Sequence, residues 1–371
     1  MGYRLCLGLC VICLSLLIVP HSYAEELITP NDRIKKHLVV RVSATVSSSP
    51  IGILAINDSA KLVSKVPYWY EIELNNGKRG FVSKRWAKIV STDKGAKKLL
   101  RLGSWNIKKL GYGSSKDYMK VAQAIEDNFD IIVVVEVMQK QHKHGGYDDL
   151  LKELGNGWKG FITNEPRPMN TRKSPEYYAV LYRPSLVRPC EGWDTMIHYV
   201  DNDGSDQGLG EDKFSREPAF TCFEAPTNNS TIGFDFILAA YHATFKNKTA
   251  IKAEARHLHE VFESMRVIRS GEKDLIIAGD FNLVPNQLAA ETGMGVTTIG
   301  AGSTINRSGK VTKNLYDHML IDDVAATKEQ KGNAEVLDIM NISSNGIYFY
   351  KNISDHLPII SYFDVSGVDD D

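Results

Sequence analysis

Apolar residues follow two rhythms along this chain, and the change comes near residue 98. From Leu38 to Val90 short β-type segments alternate with turns: "LVVRVSA", "IGILAI", "KLVSKV", "WYEIEL" and "NNGKRGFVS". Asn76-Gly77, between "YEIEL" and "KRGFV", predicts a tight hairpin with positive φ at both central residues. The polar stretch "STDKGAKK", Ser91 to Lys98, suits a linker. Beyond it, continuous apolar runs alternate with helical patterns: "LLRLGSWNI", "KDYMKVAQAIEDN", "DIIVVVEVM", and later "FDFILAAYHATF", "AEARHLHEVFESMRVIRS", "DLIIAGDFN" and "LPIISYFDV". A strand apolar at successive positions has both faces covered. Strands of that kind with helices between them predict an α/β layered sandwich. The chain shows no internal repeat and no low-complexity tract.

The first 24 residues break both rhythms. Arg4, the apolar run "LCLGLCVICLSLLIVP" and the small residues of "HSYA" have the order of a cleaved export signal, with the mature chain starting near Glu25. The run is short for a membrane anchor and no second one follows, so stable membrane insertion is not expected once the signal is cut. A secreted or periplasmic location follows as the expectation. Three of the five cysteines lie in that segment. Cys190 and Cys222 remain, an even number in an oxidising compartment, and one disulfide is the leading expectation, with two buried thiols as the alternative.

Composition adds little until it is resolved along the chain. At 371 residues, 43% hydrophobic and 24% charged, the protein is ordinary for a globular chain of two domains. The net charge of −1 hides an imbalance: Lys35 to Lys98 holds 13 Lys or Arg against 4 Asp or Glu, while the chain ends in Asp369, Asp370 and Asp371. A basic early segment suits either an anionic partner or a solvated face. Trp69 and Trp86 in this segment are expected in its core.

Candidate chemistry appears where apolar strands end. In "IIAGDFN" a buried-looking run delivers Gly279, Asp280 and Asn282. Turn chemistry explains Gly279 but not the acid and the amide together. The same break recurs: Asn106 in "LGSWNI", Glu136 inside "IIVVVEVM", His242 in "ILAAYHATF", Asp317 in "NLYDHML", and Asp355 and His356 in "ISDHLPII". A buried carboxylate costs several kcal/mol unless paired or metal-bound. Patterning rules that fail together mark a functional site.

These residues resemble the endonuclease/exonuclease/phosphatase superfamily, and within it the deoxyribonuclease I-like branch. The matching motifs run in order from about Leu100 to Val365: "SWNI", "VVVEVM", "EYYAVLYRP", "FSREPAF", "AAYHATF", "AGDFN", "YDHMLI" and "SDHLP". The resemblance implies a four-layer α/β sandwich, two packed β-sheets flanked by helices. It implies a metal-dependent phosphodiesterase acting on nucleic acid, most directly DNA, leaving 5′-phosphate and 3′-hydroxyl ends. By the same resemblance Glu136 and Asn106 bind a divalent metal and Asp355 adds to the same or a second position. Mg²⁺ suits such hard oxygen donors, Mn²⁺ is the substitute, and a structural Ca²⁺ is a further expectation. Asp280 and Asn282 orient water and hold a phosphate oxygen. His242, partnered by Glu176, and His356, partnered by Asp317, serve as acid and base in an unassigned order. Arg216 in "FSREP" grips the phosphate. Tyr178 is expected in the core, and His142, His144, His257, His259 and His318 receive no role.

The motif set also departs from the branch. Animal members carry an arginine just after the metal-binding glutamate and a tyrosine before the histidine's acid, both reaching the DNA minor groove. Here Met138 and Ser174 stand there, which leaves single strands, RNA or looser duplex binding open. Lys108, Lys109, Arg167, Arg172 and Lys173 suit either phosphate contacts or an ordinary solvated surface.

The early segment is similar to a bacterial SH3-like domain through "VRVSATVSSSPIGIL", Trp69-Tyr70 and "NGKRGFVSKRWAKIV". That similarity implies a small all-β barrel that binds cell wall, peptide or an anionic polymer. The expected organisation is thus 1–24 signal, 35–91 SH3-like barrel, 92–99 linker, 100–366 catalytic domain and 367–371 acidic tail. Two competing readings keep the fold. One is a phospholipid phosphodiesterase of the sphingomyelinase type, which would want an exposed aromatic hairpin. The other is a catalytically degenerate surface-binding protein.

Overall fold

The computed structural model describes residues 26–369 except 32, 57, 92–97, 114, 139–144, 168–174, 201–212, 229 and 323–327. The expected signal and most of the expected linker lie outside the described residues, as do His142, His144, Arg172, Lys173 and Ser174. Lys98 and Leu99, at the end of the expected linker, already belong to the second domain. The Lys98 backbone N–H donates to Ser366 Oγ (2.9 Å), and Leu99 opens a strand.

The first domain is a seven-stranded antiparallel sheet: β1 (Glu26–Pro30), β2 (His37–Arg41), β3 (Pro50–Ala55), β4 (Ala60–Val66), β5 (Trp69–Glu73), β6 (Arg79–Ser83) and β7 (Ala87–Ser91). Its order is β3-β2-β6-β5-β4-β1-β7. Ile28, Val40, Ile72 and Val82 are wholly buried and form a core of its own. Three expectations change. The domain starts at Glu26 rather than 35, because β1 pairs with both β4 and β7. No pairing between β3 and β7 closes the sheet among the described residues, so a closed barrel is not seen. The Asn76-Gly77 hairpin forms with a single left-handed residue, Gly77 at φ 76°, as in a longer loop where a turn is followed by one left-handed glycine.

The second domain is a layered α/β sandwich. One sheet has the order β10-β11-β9-β8-β19-β18, from β8 (Leu99–Leu110), β9 (Ile131–Met138), β10 (Lys159–Ile162), β11 (Glu176–Tyr182), β18 (Glu335–Val336) and β19 (Ile359–Asp364). The other has the order β12-β14-β15-β16-β17, from β12 (Arg188–Pro189), β14 (Ala219–Pro226), β15 (Ile232–His242), β16 (Leu275–Asp280) and β17 (Asp317–Ile321), with β13 (Ile197–His198) also on β14. Helices α1 (Tyr118–Asn128), α2 (Gly145–Leu154) and α6 (Gly346–Asn352) cover the first sheet; α3 (Lys248–Arg256), α4 (Leu258–Ile268) and α5 (Pro285–Thr292) cover the second.

On every central strand the side chains alternate, with a period of two, between the space between the sheets and the helix layer. Val133, Val135, Tyr178, Phe236, Leu238, Ile276 and Ala278 meet between the sheets. Ile132 and Val134 pack instead against α1 and α2, and Ile237 and Ile277 against α4. These strands read as unbroken apolar runs because each is covered on both faces. Cys190 and Cys222 are joined in a disulfide beside Arg269. At the far end, the Asp369 backbone N–H donates to Ile232 O (3.3 Å), so the acidic end is tied to β15 as far as that residue.

The domains dock through Lys84–Asp127 (3.0 Å), Arg85–Glu153 (3.3 Å) and a hydrogen bond from the Tyr68 hydroxyl to Ile342 O (2.7 Å). Trp69 is buried as expected, whereas Trp86 is 38% exposed and lines a groove between the domains.

Gly279 marks the tightest approach in the second sheet. A Cβ there would lie 1.7 Å from Tyr241 O, the strand neighbour in register with it. Gly279→Ala should therefore cost roughly 4 kcal/mol or more, read as a large drop in the urea midpoint; a wild-type midpoint would contradict this packing.

Candidate active site

The period of two that builds the inter-sheet core also builds the site. One step past Ala240, Ala278, Met319 and Tyr178, the next residues on the same strand faces are His242, Asp280, Asp317 and Glu176. Register brings them side by side: His242 lies opposite Asp280 in the parallel β15–β16 pair, and Asp280 opposite Asp317 in the antiparallel β16–β17 pair. The site is the polar cap of an apolar core. His318 falls on the opposite face, buried, with Nε2 against Leu283 O (2.8 Å).

Asp280, 2% exposed, is the centre. Its Oδ2 accepts a hydrogen bond from Asn106 Nδ2 (3.1 Å) and faces His242 Nε2 at 3.7 Å and His356 Nε2 at 3.6 Å. Each imidazole is held from behind: His242 Nδ1 lies 2.7 Å from Glu176 Oε2, and His356 Nδ1 lies 2.7 Å from Asp317 Oδ2. Such contacts fix the tautomer and aim Nε2 forward. Burial opposes the charge on His356, but the Asp317 and Asp280 carboxylates outweigh it and hold its pKa at about 10. Burial and the Arg216 guanidinium oppose the proton on His242, yet Glu176 and Asp280 raise its pKa. Burial works to raise Glu176, and His242 and Arg216 reverse the direction to a net lowering.

Arg216 is placed otherwise than expected. It is 5% exposed, and its guanidinium donates to Glu176 Oε1 (3.0 Å), His242 O (3.0 Å) and Ala243 O (2.6 Å). It braces the histidine–glutamate pair from behind rather than standing open to solvent. Asn282, at φ 52°, donates its backbone N–H to Asp280 Oδ1 (3.0 Å) and its side-chain amide to Ala243 O (3.2 Å).

Glu136 sits where the strand pattern is broken. Val135 faces the inter-sheet core and Val137 the helices, so the residue between them is the irregularity, and Glu136 takes φ 59°. On the neighbouring strand Lys108 (φ 34°) and Lys109 (φ 52°) are also left-handed, and pairing jumps from Asn106 to Leu110. Glu136 accepts from Asn106 Nδ2 (3.1 Å) and from the Lys109 backbone N–H (2.9 Å). Asn106 therefore acts as donor to two acids, while its Oδ1 accepts from Lys108 N (2.9 Å). Asp355 lies 3.4 Å from Lys108 Nζ.

Glu136 and Asp355, partly open acids with oxygen lone pairs to spare, fit a hard divalent cation. Among the described residues the acid and histidine groups compact enough for an ion are Asp280, Asp317 and His356, with ligand atoms within 4.8 Å of one another. The donor chemistry fits a metal at this end of the sandwich, where His356 also holds Asp317 through Nδ1.

Several supporting residues carry no strand-end signal. Ser354 Oγ donates to Asn106 O (2.6 Å) and accepts from His356 N (3.0 Å), joining two motifs 248 residues apart. Trp105 Nε1 donates to His356 O (2.9 Å). Half-buried Lys116 donates to Ile107 O, Lys108 O and Ile353 O at 2.6–2.9 Å, stapling both irregular segments. Burial and Lys108 lower its pKa to about 8. Ser354 and Trp105 lie inside "SDHLP" and "SWNI" and were within reach of sequence reading; Lys116 was not. Tyr178 is in the core as expected, and the His242 backbone N–H donates to its hydroxyl (3.2 Å). Arg167 is 7% exposed and ion-paired to Glu217 (2.7 Å), which removes it from the free phosphate contacts.

No family model matches the chain. It is 27% identical over 289 residues to a deoxyribonuclease of Thioalkalivibrio sp. (strain K90mix), covering 73% of each chain. It is 28% identical over 187 residues to deoxyribonuclease-1 of Rattus norvegicus, covering 49% of this chain and 60% of the rat protein, less than two thirds of that relative's length. An endonuclease/exonuclease/phosphatase family protein from Bacteroides thetaiotaomicron shares the fold, with a TM-score of 0.50 at 18% identity over 72% of this chain and 98% of that one. The expected likeness is thus found in sequence to deoxyribonucleases, and in fold to a structure of that superfamily.

The His356–Asp317 contact has a pH signature. A raised folded-state pKa contributes stability that is fully present below the unfolded value of about 6.5 and is lost as pH rises through about 10. The His356 imidazole should titrate near 10 by NMR, and Asp317→Asn should bring it down toward the ordinary value. A wild-type titration near 6.5 would overturn this account.

Proposed function

We propose that the chain is an exported, metal-dependent nuclease of the deoxyribonuclease I type, cutting phosphodiester bonds of DNA endonucleolytically to leave 5′-phosphate and 3′-hydroxyl ends. The observation that carries the reading is the Asp280 carboxylate between two acid-held histidines. The deoxyribonuclease relatives support the substrate class. The targeting pattern of residues 1–24 supports export.

Hydrolysis at phosphorus needs a base on the attacking water and an acid on the leaving oxygen, roughly in line. Two imidazoles that approach one carboxylate oxygen supply both. One histidine, with Asp280, takes the water proton; the other delivers a proton to the leaving oxygen. Glu176 and Asp317 hold the tautomers. Arg216 keeps Glu176 charged and His242 aimed, and so acts by positioning. Asn282 spends one amide N–H on Ala243 O, and the second donates to a non-bridging oxygen. Glu136 and Asp355, with Asn106 ordering Glu136, would hold a divalent ion, which when bound would supply neutralisation of charge on the non-bridging oxygens.

A DNA zymogram should clear with Mg²⁺ and stay dark with EDTA. His242→Ala and His356→Ala should each lower plasmid cleavage about 10²–10⁴-fold. Absence of clearing by wild type would remove the nuclease reading, and full activity in His242→Ala would remove the assignment. Glu176→Gln should lower kcat with little change in KM, because it touches the histidine and not the substrate.

A further inference from the structure

The groove between the two domains is not used by the chemistry above. It encloses about 690 Å³, with β2, the turn after it and Trp86 on one wall and α1 on the other. Its surface carries apolar groups that a lone fold would bury: Val46 is 76% exposed, Met119 53% and Trp86 38%. Arg33, Arg41 and Arg85 line it as well, against the two acids Glu126 and Glu153, with Arg85 stacked 5.4 Å from the Trp86 ring and also paired to Glu153. This is where the cationic excess of the early segment meets exposed aromatic surface.

Aromatic and cationic residues continue from the groove toward the catalytic centre. Tyr68, also in the groove, accepts from Lys120 Nζ (2.6 Å), and that ammonium lies 5.6 Å from the Tyr348 ring on α6. Two residues on, Tyr350 carries Lys108 Nζ 3.3 Å from its ring centre, and Lys108 reaches Asp355. Alternating rings and cations are the chemistry that holds a single nucleic-acid strand: charges track the phosphates and rings stack the bases.

We propose that the groove is a second, non-catalytic site for a single-stranded nucleic acid, holding the part of the strand beyond the segment being cut. The choice of polyanion rests on the nuclease reading. Val46 projects from the rim into solvent, so exchanging it leaves the fold intact and changes only the charge at the groove.

Binding of a labelled oligothymidylate of ~20 nucleotides is measured by fluorescence anisotropy in EDTA at low salt, so that cleavage plays no part. Val46→Glu should weaken binding about threefold and Val46→Lys tighten it by a similar factor. Trp86→Ala should cost about tenfold and erase the advantage of the long strand over one of ~6 nucleotides. An apolar peptide or protein occupant predicts no opposite response of the two Val46 variants; equal or absent responses overturn the proposal. The zymogram separates the two readings. Cleavage without the Val46 response removes only the groove, and the Val46 response without cleavage removes only the nuclease.

Discussion

A carboxylate that is almost wholly buried must be neutralised by its neighbours, and Asp280 imposes that demand on the rest of the site. Isolated, such a charge would cost several kcal/mol. Here two imidazoles and one amide converge on its Oδ2, while the Asn282 backbone serves its Oδ1. The imidazoles then need acids of their own, and Glu176 needs Arg216. The result is a network of charges in which each member is paired, at the end of a core that is otherwise apolar. Removing one partner leaves another buried and uncompensated, so the network behaves as a unit.

Backbone strain concentrates around the same centre. Of the six described non-glycine residues with positive φ, Lys108, Lys109, Glu136 and Asn282 belong to the site. A residue held there costs of order 1–3 kcal/mol and persists when its surroundings over-determine it. Lys116 supplies that determination for the irregular end of β8, with three carbonyls on one half-buried ammonium. The strain turns Glu136 out of the strand pattern, which gives the site a carboxylate that a regular strand would have pointed elsewhere. The small domain is coupled to this arrangement through α1 and α6, by Lys84–Asp127 and by the Tyr68–Lys120 contact beside Tyr348.

Much of the site was legible because successive side chains of a strand alternate between its two faces. Polar residues at the ends of apolar runs include His242, Asp280 and Asp317 on the face shared with the inter-sheet core, whereas His318 at the same strand end falls on the other face. Glu136 was visible as a misfit in an apolar run, but the backbone reversal that makes it fit was not. Arg216 was visible as a motif member, and its direction was not, since an arginine after a loop can face substrate or support. Lys116 had no signal, because a lysine in a polar loop is the commonest surface pattern there is. In the first domain the hairpin was legible and its turn geometry was not, and the strand from Glu26 was hidden by its closeness to the apolar run of the first 24 residues.

By itself, then, the sequence determined the division into two domains, the strand-and-helix alternation of the larger one, and which strand ends carry acids, amides and histidines. These depend on periodicity within a few residues. Tertiary structure alone decided that the ends meet, that Asn106 reaches Asp280 across 174 residues and His242 reaches Glu176 across 66, that Arg216 faces inward, and that Trp86 stays exposed in a groove. Those outcomes depend on sheet register and on which layers pack together, and a side chain's partner across the fold leaves no trace in the residues beside it.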